Sequence, residues 1–535
     1  MEKKVEITDT TLRDGQQSPW AWMTYQQNIE YAKMIANAMR WWDHILEAWF
    51  PSASNTEWRI VNDIAKETSW IENSPKISSL SQLKEEQIEQ TIKALEPAKS
   101  SGKGRIHTFF PVDPILMEAS VWIQHSDHKK KNEIIEKVFK LCKLAKDEDM
   151  EVQFSPEGYS RMQNNWKNNF DFVTQLIKAS IEWGARIINC PDTIWEASRF
   201  EEDYFINQIK RHNQIIQKAY GSMPITWSVH CHDDFWLAVA NSKEALFDPE
   251  SPVTQVEWTI NWVGERAGNA SIEEIVMIIN HFGNKHWIYT EFDLKSLKKL
   301  SDFVATYMLP RQPHKAIVWD NASTHSSGIH VNAIEKDPTS YQPFDPKKVW
   351  SKITTLFGPS SGSNHAKKII EKSGYSFPEE KRYELFHYIK DYWQEKRKGI
   401  TDEELMEAFF EYIKPIKIQD IDYSKQHNKD GHTVSVFVEW DIFGEKTIEN
   451  TIPSENSPLY ALKAKLDEFV SWYDITNYQS HSEGKWADAV SVSNIEISNW
   501  WEYVWKWKDK DIEKSALKAL IEAYNNAYIQ QKYKK

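Results

Sequence analysis

The sequence predicts an α/β protein that begins with a (β/α)8 barrel and ends with an α+β region. Short β-branched runs alternate with longer amphipathic stretches up to about residue 295, and a strand-strand-strand-helix pattern occurs twice beyond residue 416. Between them, residues 296–413 are mostly helical. We therefore predict three parts: a barrel at 1–295, helical linker subdomains at 296–413 and an α+β domain at 416–535.

Eight runs are predicted as barrel strands: Val5–Thr8, His44–Glu47, Arg105–Phe109, Val152–Ser155, Arg186–Asn189, Ile225–His230, Gln255–Ile260 and Trp287–Thr290. Helical patterns lie between them, among them Gln26–Met39, Glu133–Lys146, Phe170–Trp183 and Ile272–Phe282. A doubly wound open sheet is the alternative, but it needs no eighth strand and usually has a glycine-rich nucleotide turn after the first. This sequence has no such turn, so the closed barrel is favoured.

The α+β region contains an internal duplication. Segment Thr433–Val470 resembles segment Val490–Tyr524, since both run from strands into a helix with a similar sequence. A duplicated unit of this size is typical of a pseudo-twofold module that binds a ligand or regulates. A second catalytic centre is the less favoured interpretation.

Composition and charge exclude several classes of protein. The net charge of −13 and the dispersed basic residues argue against a general nucleic-acid binder. There is no uninterrupted apolar stretch of membrane-spanning length and no signal-peptide core, so no membrane association is expected. The three cysteines are widely spaced and form neither a disulfide framework nor a zinc ribbon. We expect a cytoplasmic protein.

The sharpest local signal is the pair His230 and His232 at the end of a predicted strand. Side chains two positions apart on a strand point to the same side, so both imidazoles can reach one metal ion. Arg13 and Asp14 follow the first predicted strand; taken alone, they would be an ordinary surface ion pair. Asn269 offers either an oxygen ligand or an N-cap for the helix that begins near residue 272.

Position strengthens these motifs, because seven polar residues fall at the carboxyl ends of predicted strands, the face where barrel enzymes place their sites. They are Asp14, His107, Glu157, Thr193, His230, His232 and Asn269. Two imidazoles with carboxylate and amide oxygens suit Zn, Mn, Mg or Co, and Glu265 adds a further oxygen. Cys231 points to the other side of its strand and is expected in the core.

Several motifs in fixed order resemble the acyl-CoA-condensing enzymes of the 2-isopropylmalate synthase group, which includes citramalate and homocitrate synthases. They read DTTLRDGQQSP, RIHTF, FSPEGYSR, NCPDT, SVHCHDDF, GERAGNAS and THSSGIH. The resemblance runs from about residue 5 to the C-terminus. It implies a catalytic barrel and a regulatory domain similar to the leucine-sensing domain of isopropylmalate synthases.

The resemblance also implies roles for the site residues. Asp14, His230, His232 and Asn269 would hold a divalent metal ion. Arg13 would stabilise the developing oxyanion, Thr193 would bind the substrate carboxylate, and Glu157 would lie beside the carbonyl. His107 and Glu265 would contact substrate. His325 and Tyr341 from the linker would act on acetyl-CoA over the partner subunit's barrel, which implies a homodimer.

The implied activity is condensation of acetyl-CoA with 3-methyl-2-oxobutanoate to give 2-isopropylmalate, the first committed step of leucine biosynthesis, with leucine as inhibitor. Citramalate or homocitrate synthesis, with another 2-oxo acid, is the nearest alternative. A lyase of the hydroxymethylglutaryl-CoA type would share the Arg-Asp and His-x-His motifs without needing the duplicated domain. A catalytically inactive amino-acid sensor is an alternative from another class.

Tryptophan and glycine deviate from normal usage in opposite directions. The chain has 26 Trp and only 17 Gly, whereas glycine alone is about 7% of an average protein. Nine tryptophans stand where the family pattern has glycine: Trp20, Trp49, Trp195, Trp236, Trp258, Trp262, Trp319, Trp505 and Trp507. We therefore hypothesise that the source lineage reads UGA as glycine and that the sequence was translated with UGA as Trp. Trp227 and Trp393 are candidates for genuine tryptophan.

Overall fold

The computed structural model describes residues 2–39, 43–164, 167–193, 197, 204–310, 315–358, 361–396, 398–428, 431–454, 457–484, 489–499 and 502–535. The chain divides into two compact units. The first comprises Met1–Ser323 and Gln342–Ile353, and the second comprises Thr324–Tyr341 and Thr354–Lys535.

The first unit contains a closed barrel of eight parallel strands. In chain order these strands are β1 Glu6–Asp9, β2 Ile45–Ala48, β3 Lys76–Gln82, β4 Gly104–Pro111, β5 Glu151–Glu157, β6 Ala185–Asp192, β7 Thr226–Cys231 and β8 Val253–Trp258. β8 pairs with β1 and closes the sheet. The predicted fold class is confirmed.

One of the eight predicted strands was wrong. Residues Ile288–Tyr289 form a two-residue strand that pairs with Lys3–Lys4 outside the barrel. The strand that sequence reasoning missed is β3, which pairs with β2 and β4. β3 reads KISSLSQ, and its serines hide the apolar pattern that marked the other strands. As a consequence, His230 lies on the seventh barrel strand.

Helices cover the outside of the barrel. They are α1 Tyr25–Ala38, α2 Asn55–Thr68, α3 Glu85–Lys99, α4 Pro114–Val121, α5 His128–Asp147, α6 Phe170–Glu182, α7 Phe205–Tyr220, α8 Ala238–Phe247, α9 Ile272–His286 and α10 Ser296–Tyr307. Their apolar faces pack on the outward side chains of the strands to form one hydrophobic core. Cys231 is fully buried in this core, as predicted.

The second unit contains helices and two antiparallel sheets. Its helices are α11 Gly328–Lys336, α12 Ser363–Lys372, α13 Arg382–Lys396, α14 Asp402–Ile413, α15 Pro458–Phe469 and α16 Ile512–Tyr533. One sheet consists of β9 Ile416–Asn428, β10 Gly431–Ile442 and β11 Glu445–Ser454; the other consists of β12 Asp474–Glu483, β13 Val490–Ser498 and β14 Glu502–Asp509. A helix follows each sheet, so the predicted duplication is confirmed.

Six tryptophans have left-handed backbone conformations. They make up half of the twelve non-glycine residues with positive φ in the described part of the chain: Trp20, Trp122, Trp236, Trp262, Trp287 and Trp350. The last residues of α4, α9 and the short 3-10 helix Pro346–Val349 are each followed by one of them as the C-cap. All of them except Trp262 expose two thirds or more of their surface.

The nine positions predicted from the family pattern fall into three groups. Trp20, Trp236 and Trp262 are left-handed, and Trp195 lies outside the described residues. The remaining five have no positive φ, so their backbone is open to any residue: Trp49, Trp258, Trp319, Trp505 and Trp507. Trp227 is buried, and its indole N–H donates to Asn213 Oδ1 at 3.0 Å.

Candidate active site

A cavity of about 250 Å³ opens at the carboxyl ends of the barrel strands. It brings together eight residues predicted from the sequence: Arg13, Asp14, His107, Glu157, Thr193, His230, His232 and Glu265. Asn269 lies beside it, because its backbone forms an isolated bridge with His232. His325 and Tyr341 belong to the second unit.

Local structure explains how two charged residues reach this cavity. After β1 the chain turns tightly, since the amides of Arg13 and Asp14 donate to the Thr10 carbonyl oxygen at 3.1 and 2.8 Å. This turn directs the guanidinium and the carboxylate to the barrel mouth, where Arg13 Nη1 donates to Asp14 Oδ2 at 2.8 Å. Both residues are buried, so they are not the surface ion pair that their spacing alone would suggest.

Asp14, His230, His232 and Asn269 form what we call the ligand cluster. His230 Nε2 lies 3.1 Å from Asp14 Oδ2 and 3.4 Å from His232 Nε2. Asp14 Oδ1 and Asn269 Oδ1 are buried without a hydrogen-bond partner among the described residues. A buried acceptor without a partner is costly, so these oxygens fit a site that binds a cation.

The alternative role for Asn269, capping a helix, does not hold. The N-cap of α9 is Ser271, and no side chain caps that helix end. Asn269 Oδ1 is therefore available as a ligand atom, in agreement with the interpretation drawn from the motif.

The electrostatics of the cluster follow from burial and from close neighbours. Burial alone raises the pKa of Asp14, but the Arg13 guanidinium and His230 hold that pKa well below its usual value. Burial lowers the pKa of His232 to about 3. Burial also lowers the pKa of His230, but hydrogen bonds to Asp14 and Glu257 outweigh it and raise that pKa to about 9.

Glu47, His107 and Glu257 form a second group, which we call the support cluster. Glu47 accepts hydrogen bonds from Arg13 Nε at 2.8 Å and Thr10 Oγ1 at 2.7 Å, and it contacts His107 Nδ1 at 2.5 Å. The other nitrogen of His107 lies 2.7 Å from Ser155 Oγ.

The third member of the support cluster is also hydrogen-bonded. Glu257 accepts hydrogen bonds from Asn189 Nδ2 at 3.0 Å and from the Gln153 amide. Although the carboxylates and the imidazole are close enough for a metal ion, these partners already occupy them. The ligand cluster is therefore the better candidate for a metal site.

Sequence reasoning missed both carboxylates of the support cluster. The signal was present, because Glu47 and Glu257 lie near the carboxyl ends of two barrel strands, the position that marked the predicted residues. Both stand within apolar runs, where the sequence pattern indicates ordinary strand residues.

Two further predicted residues line the cavity near Arg13. Burial raises the pKa of Glu157, which favours its protonated form at a higher pH than usual. Thr193 Oγ1 accepts a hydrogen bond from the Gly158 amide at 3.0 Å. The Thr193 hydroxyl is thereby oriented, and its own proton can be donated to a substrate.

Three residues that line the cavity are apolar: Leu80 from the missed strand, Phe109 and Pro191, which we call the apolar wall. Arg13 is the only Lys or Arg among the described residues that line the cavity. The cavity therefore suits an acid with one anionic end and one apolar end.

In the second unit, His325 and Tyr341 lie on either side of His330. The His330 and Tyr341 rings stack with centroids 3.9 Å apart, and the His325 ring lies 6.3 Å from His330. Burial and the neighbouring His330 both lower the pKa of His325. His325 is therefore neutral near pH 7, the form in which an imidazole accepts a proton.

Comparison with known proteins agrees with the fold and identifies the family. Residues 4–304 match the HMGL-like family model, and residues 317–397 match a model described as homocitrate synthase post-HMGL domain-like. The 2-isopropylmalate synthase from Pyrococcus abyssi is 34% identical over 87% of this chain and 89% of its own length. The chain belongs to the 2-isopropylmalate synthase family.

Other relatives extend this match. The 2-isopropylmalate synthase from Aquifex aeolicus is 31% identical over 100% of this chain and 98% of its own length, so the similarity includes the α+β domain. The solved HMG-CoA lyase from Bacillus subtilis aligns with 58% of this chain and 96% of its own, at 17% identity and a TM-score of 0.45. As a member of the 2-isopropylmalate synthase family, the chain is a transferase of leucine biosynthesis.

Among the described helices, none has the length and hydropathy that a membrane span requires.

Proposed function

We propose that this member of the 2-isopropylmalate synthase family condenses acetyl-CoA with 3-methyl-2-oxobutanoate and water, releasing 2-isopropylmalate and CoA. The observation that carries the proposal is the cavity in which a ligand cluster and Arg13 face an apolar wall. We further propose that 1–295 is the catalytic domain, 296–413 completes the active site, and 416–535 regulates it.

The ligand cluster fits a divalent cation, because it presents two imidazoles and two partnerless buried oxygens. When bound, such an ion polarises the carbonyl of a 2-oxo acid and so makes C2 electrophilic. The donor set suits Zn, Mn, Mg or Co.

The other residues orient the oxo acid. The Arg13 guanidinium, held by Asp14 and Glu47, donates to the oxygen on which negative charge develops. The Thr193 hydroxyl donates to the substrate carboxylate. Glu157 lies beside the carbonyl, and His107 and Glu265 contact the substrate from the cavity wall.

His325 and Tyr341 act on acetyl-CoA. The neutral imidazole of His325 removes a proton from the methyl carbon, and the Tyr341 hydroxyl donates a hydrogen bond to the enolate oxygen. The enolate carbon then attacks C2, and hydrolysis of the resulting thioester releases CoA. We propose that these two residues serve the barrel of a partner subunit, so the active form is a homodimer.

The apolar wall favours a branched oxo acid over the alternatives. A second carboxylate, as in 2-oxoglutarate, would face Leu80, Phe109 and Pro191 without a cation to pair with. Pyruvate would leave the apolar wall largely uncovered. Homocitrate and citramalate synthesis are therefore less well supported.

A thiol-release assay with 3-methyl-2-oxobutanoate, pyruvate and 2-oxoglutarate tests this proposal. We expect the highest kcat/KM with the branched acid, and an L80E variant should lose that preference. A higher kcat/KM with either other acid would overturn the substrate assignment. Bound metal without any thiol release would support the inactive sensor instead.

We also propose leucine as the effector. A cavity of about 430 Å³ in the α+β domain is lined by Leu459, Ile475 and Ala516 together with polar side chains. Glu513, which also pairs with Lys425 at 2.9 Å, lines it and can pair with an ammonium group. The affinity of the purified native enzyme and of an E513Q variant for leucine, with isoleucine as control, tests this. Equal leucine affinity in both would exclude this cavity.

The three cysteines are free, which supports a cytoplasmic location.

We further propose that the six left-handed tryptophans are glycines in the native polypeptide, because UGA is read as glycine. Only glycine adopts positive φ without a steric penalty, and helix C-caps are positions where glycine is strongly preferred. For other residues this conformation costs roughly 1–2 kcal/mol each. Six such positions cost about 6–12 kcal/mol, comparable to the whole stability of a typical domain.

Burial does not offset this strain. Trp20 is 90% exposed and Trp122 is 81% exposed, so their indoles gain little from removal from water. Trp227 offers the contrast, because its side chain is buried and hydrogen-bonded on ordinary backbone.

The intact mass of the protein isolated from its source decides the matter. Each Trp-to-Gly exchange lowers the mass by a fixed amount, and peptide mapping locates it. A native mass that matches the 62.9 kDa of the written chain would overturn the proposal. In recombinant chains, changing the six residues to glycine should raise the unfolding free energy by several kcal/mol, whereas W227G should lower it.

A further inference from the structure

The two ring nitrogens of His230 face different carboxylates. Nε2 lies 3.1 Å from Asp14 Oδ2, within the ligand cluster, whereas Nδ1 lies 3.4 Å from Glu257 Oε2. His230 and Glu257 are direct neighbours across the β7–β8 pair. Both side chains are buried, and Nδ1 has no hydrogen-bond partner among the described residues, so Glu257 Oε2 at 3.4 Å is the acceptor placed to take its proton.

Glu257 is itself fixed by two neutral donors from the adjoining part of the barrel. Asn189, on β6, donates to Oε2 at 3.0 Å, and Gln153, on β5, donates to Oε1. Gln153 in turn accepts a hydrogen bond from Arg105 Nη1 at 3.1 Å. Because both oxygens have donors, the carboxylate cannot rotate away from His230 without losing hydrogen bonds.

We propose that Glu257 is the positioning residue for the metal ligand His230, an inference that rests on the ligand cluster assigned above. The carboxylate accepts the proton on Nδ1 and thereby keeps the lone pair on Nε2, directed toward Asp14 and His232. An imidazole held in this tautomer is a better metal ligand, because its ring needs no reorientation and its basicity is raised.

A direct ligand role for Glu257 is less well supported. Its oxygens already accept hydrogen bonds, whereas Asp14 and Asn269 each have a partnerless oxygen. A purely structural role would make Glu257 important for folding but leave metal affinity unchanged. The two roles therefore differ in a measurable way.

The test measures the affinity of the metal-free enzyme for Mn²⁺ and Zn²⁺ alone by calorimetry with a competing chelator. We expect E257Q to bind both ions about 10- to 100-fold more weakly, because a neutral amide orients the imidazole poorly. E257D, which keeps the charge, should recover part of the affinity. The matched control is D113N, whose buried carboxylate in the same unit accepts a hydrogen bond from Arg161 Nε at 2.8 Å, outside the hydrogen bonds that fix Glu257.

The outcomes separate this inference from the assignment on which it rests. If the unsubstituted enzyme binds neither ion, the ligand cluster itself is wrong. If it binds both and E257Q binds them equally well, only the role of Glu257 is overturned. A loss of affinity in D113N as large as in E257Q would also overturn it, because the effect would then come from general destabilisation.

If E257Q does not fold, an NMR experiment on the enzyme with Glu257 intact tests the same inference. Nitrogen-15 NMR of histidine-labelled, metal-loaded enzyme reports which ring nitrogen carries the proton, and the His230 signal is assigned by its absence in H230N. We expect a protonated Nδ1 and a metal-bound Nε2. A proton on Nε2 would overturn the inference.

Discussion

The ligand cluster and the support cluster use the same residue types at the same end of the barrel, yet they differ in how their polar atoms are satisfied. In the support cluster, Glu47 and Glu257 accept hydrogen bonds from neighbouring side chains. In the ligand cluster, Asp14 and Asn269 keep a buried oxygen without a partner among the described residues.

The difference shows how a buried polar group reveals its role. Hydrogen bonds within the protein fix a carboxylate as part of the scaffold, while a buried acceptor that has no partner and lies beside two imidazoles and a carboxylate fits an external cation. A list of carboxylates and imidazoles does not distinguish the two clusters; their hydrogen bonds do.

The largest expected effect comes from replacing one carboxylate of each cluster, Asp14 and Glu47, by its amide. D14N should weaken Mn²⁺ affinity by more than about 100-fold and remove turnover, because it removes a metal ligand. E47Q should lower the unfolding free energy of the metal-free enzyme by about 3 kcal/mol, because Arg13 then lacks a buried anionic partner. Calorimetry and urea denaturation measure the two effects.

The comparison of the two clusters requires D14N to act mainly on metal affinity and E47Q mainly on the unfolding free energy. We expect metal affinity to fall far less in E47Q than in D14N, since Glu47 reaches the ligand Asp14 only through Arg13. If E47Q lost metal as completely as D14N, the division into two clusters would be wrong.

A smaller effect is expected from the matched amides Asn269 and Asn189. N269A should weaken metal affinity by roughly tenfold or more, because its partnerless Oδ1 belongs to the ligand cluster beside His232. Its effect on stability should be smaller than that of N189A, since Asn269 Nδ2 makes one long hydrogen bond, to the Val263 carbonyl oxygen at 3.5 Å. N189A should lower stability by about 1–3 kcal/mol, because Ser155 and Glu257 lose a donor. Reversed results in the two assays would contradict the comparison.

The smallest effect concerns pH. Burial alone raises the pKa of Glu47, but Arg13 and His107 hold it well below the ordinary value of 4.5. A carboxylate with a depressed folded pKa stabilises the protein above its unfolded pKa, and this stability is lost as the pH falls toward the folded value.

The stability difference between the original chain and E47Q should therefore be largest near pH 7. It should shrink as the pH falls below about 4.5. Urea denaturation of both metal-free proteins at pH 7 and pH 4 checks this, and a constant difference would show that Glu47 acts through packing alone.

The sequence predicted the ligand cluster better than the support cluster. His230 and His232 are two positions apart on one strand, and Asp14 adjoins Arg13, so these groups appear as short motifs. Glu47 and Glu257 each stand within an apolar run, and nothing in the local sequence connects them to His107 or His230. Their role comes from strands that meet only in the closed barrel.

The missed strand β3 illustrates the same limit. Its serines weaken the apolar signal in the sequence, although four of its seven residues, Ile77, Ser78, Ser79 and Ser81, are buried in the barrel. Leu80 therefore lines the cavity although the sequence did not mark it as a candidate, and it supports the proposed substrate.

By itself, the sequence determined the barrel and the duplicated α+β domain and predicted the residues of the ligand cluster, because periodicity and short motifs are local. It also marked the excess of tryptophan at expected glycine positions. Only the tertiary structure decided which carboxylates are free to bind a cation and which tryptophans lie on left-handed backbone. Hydrogen-bond satisfaction and backbone conformation depend on neighbours that the chain acquires only on folding.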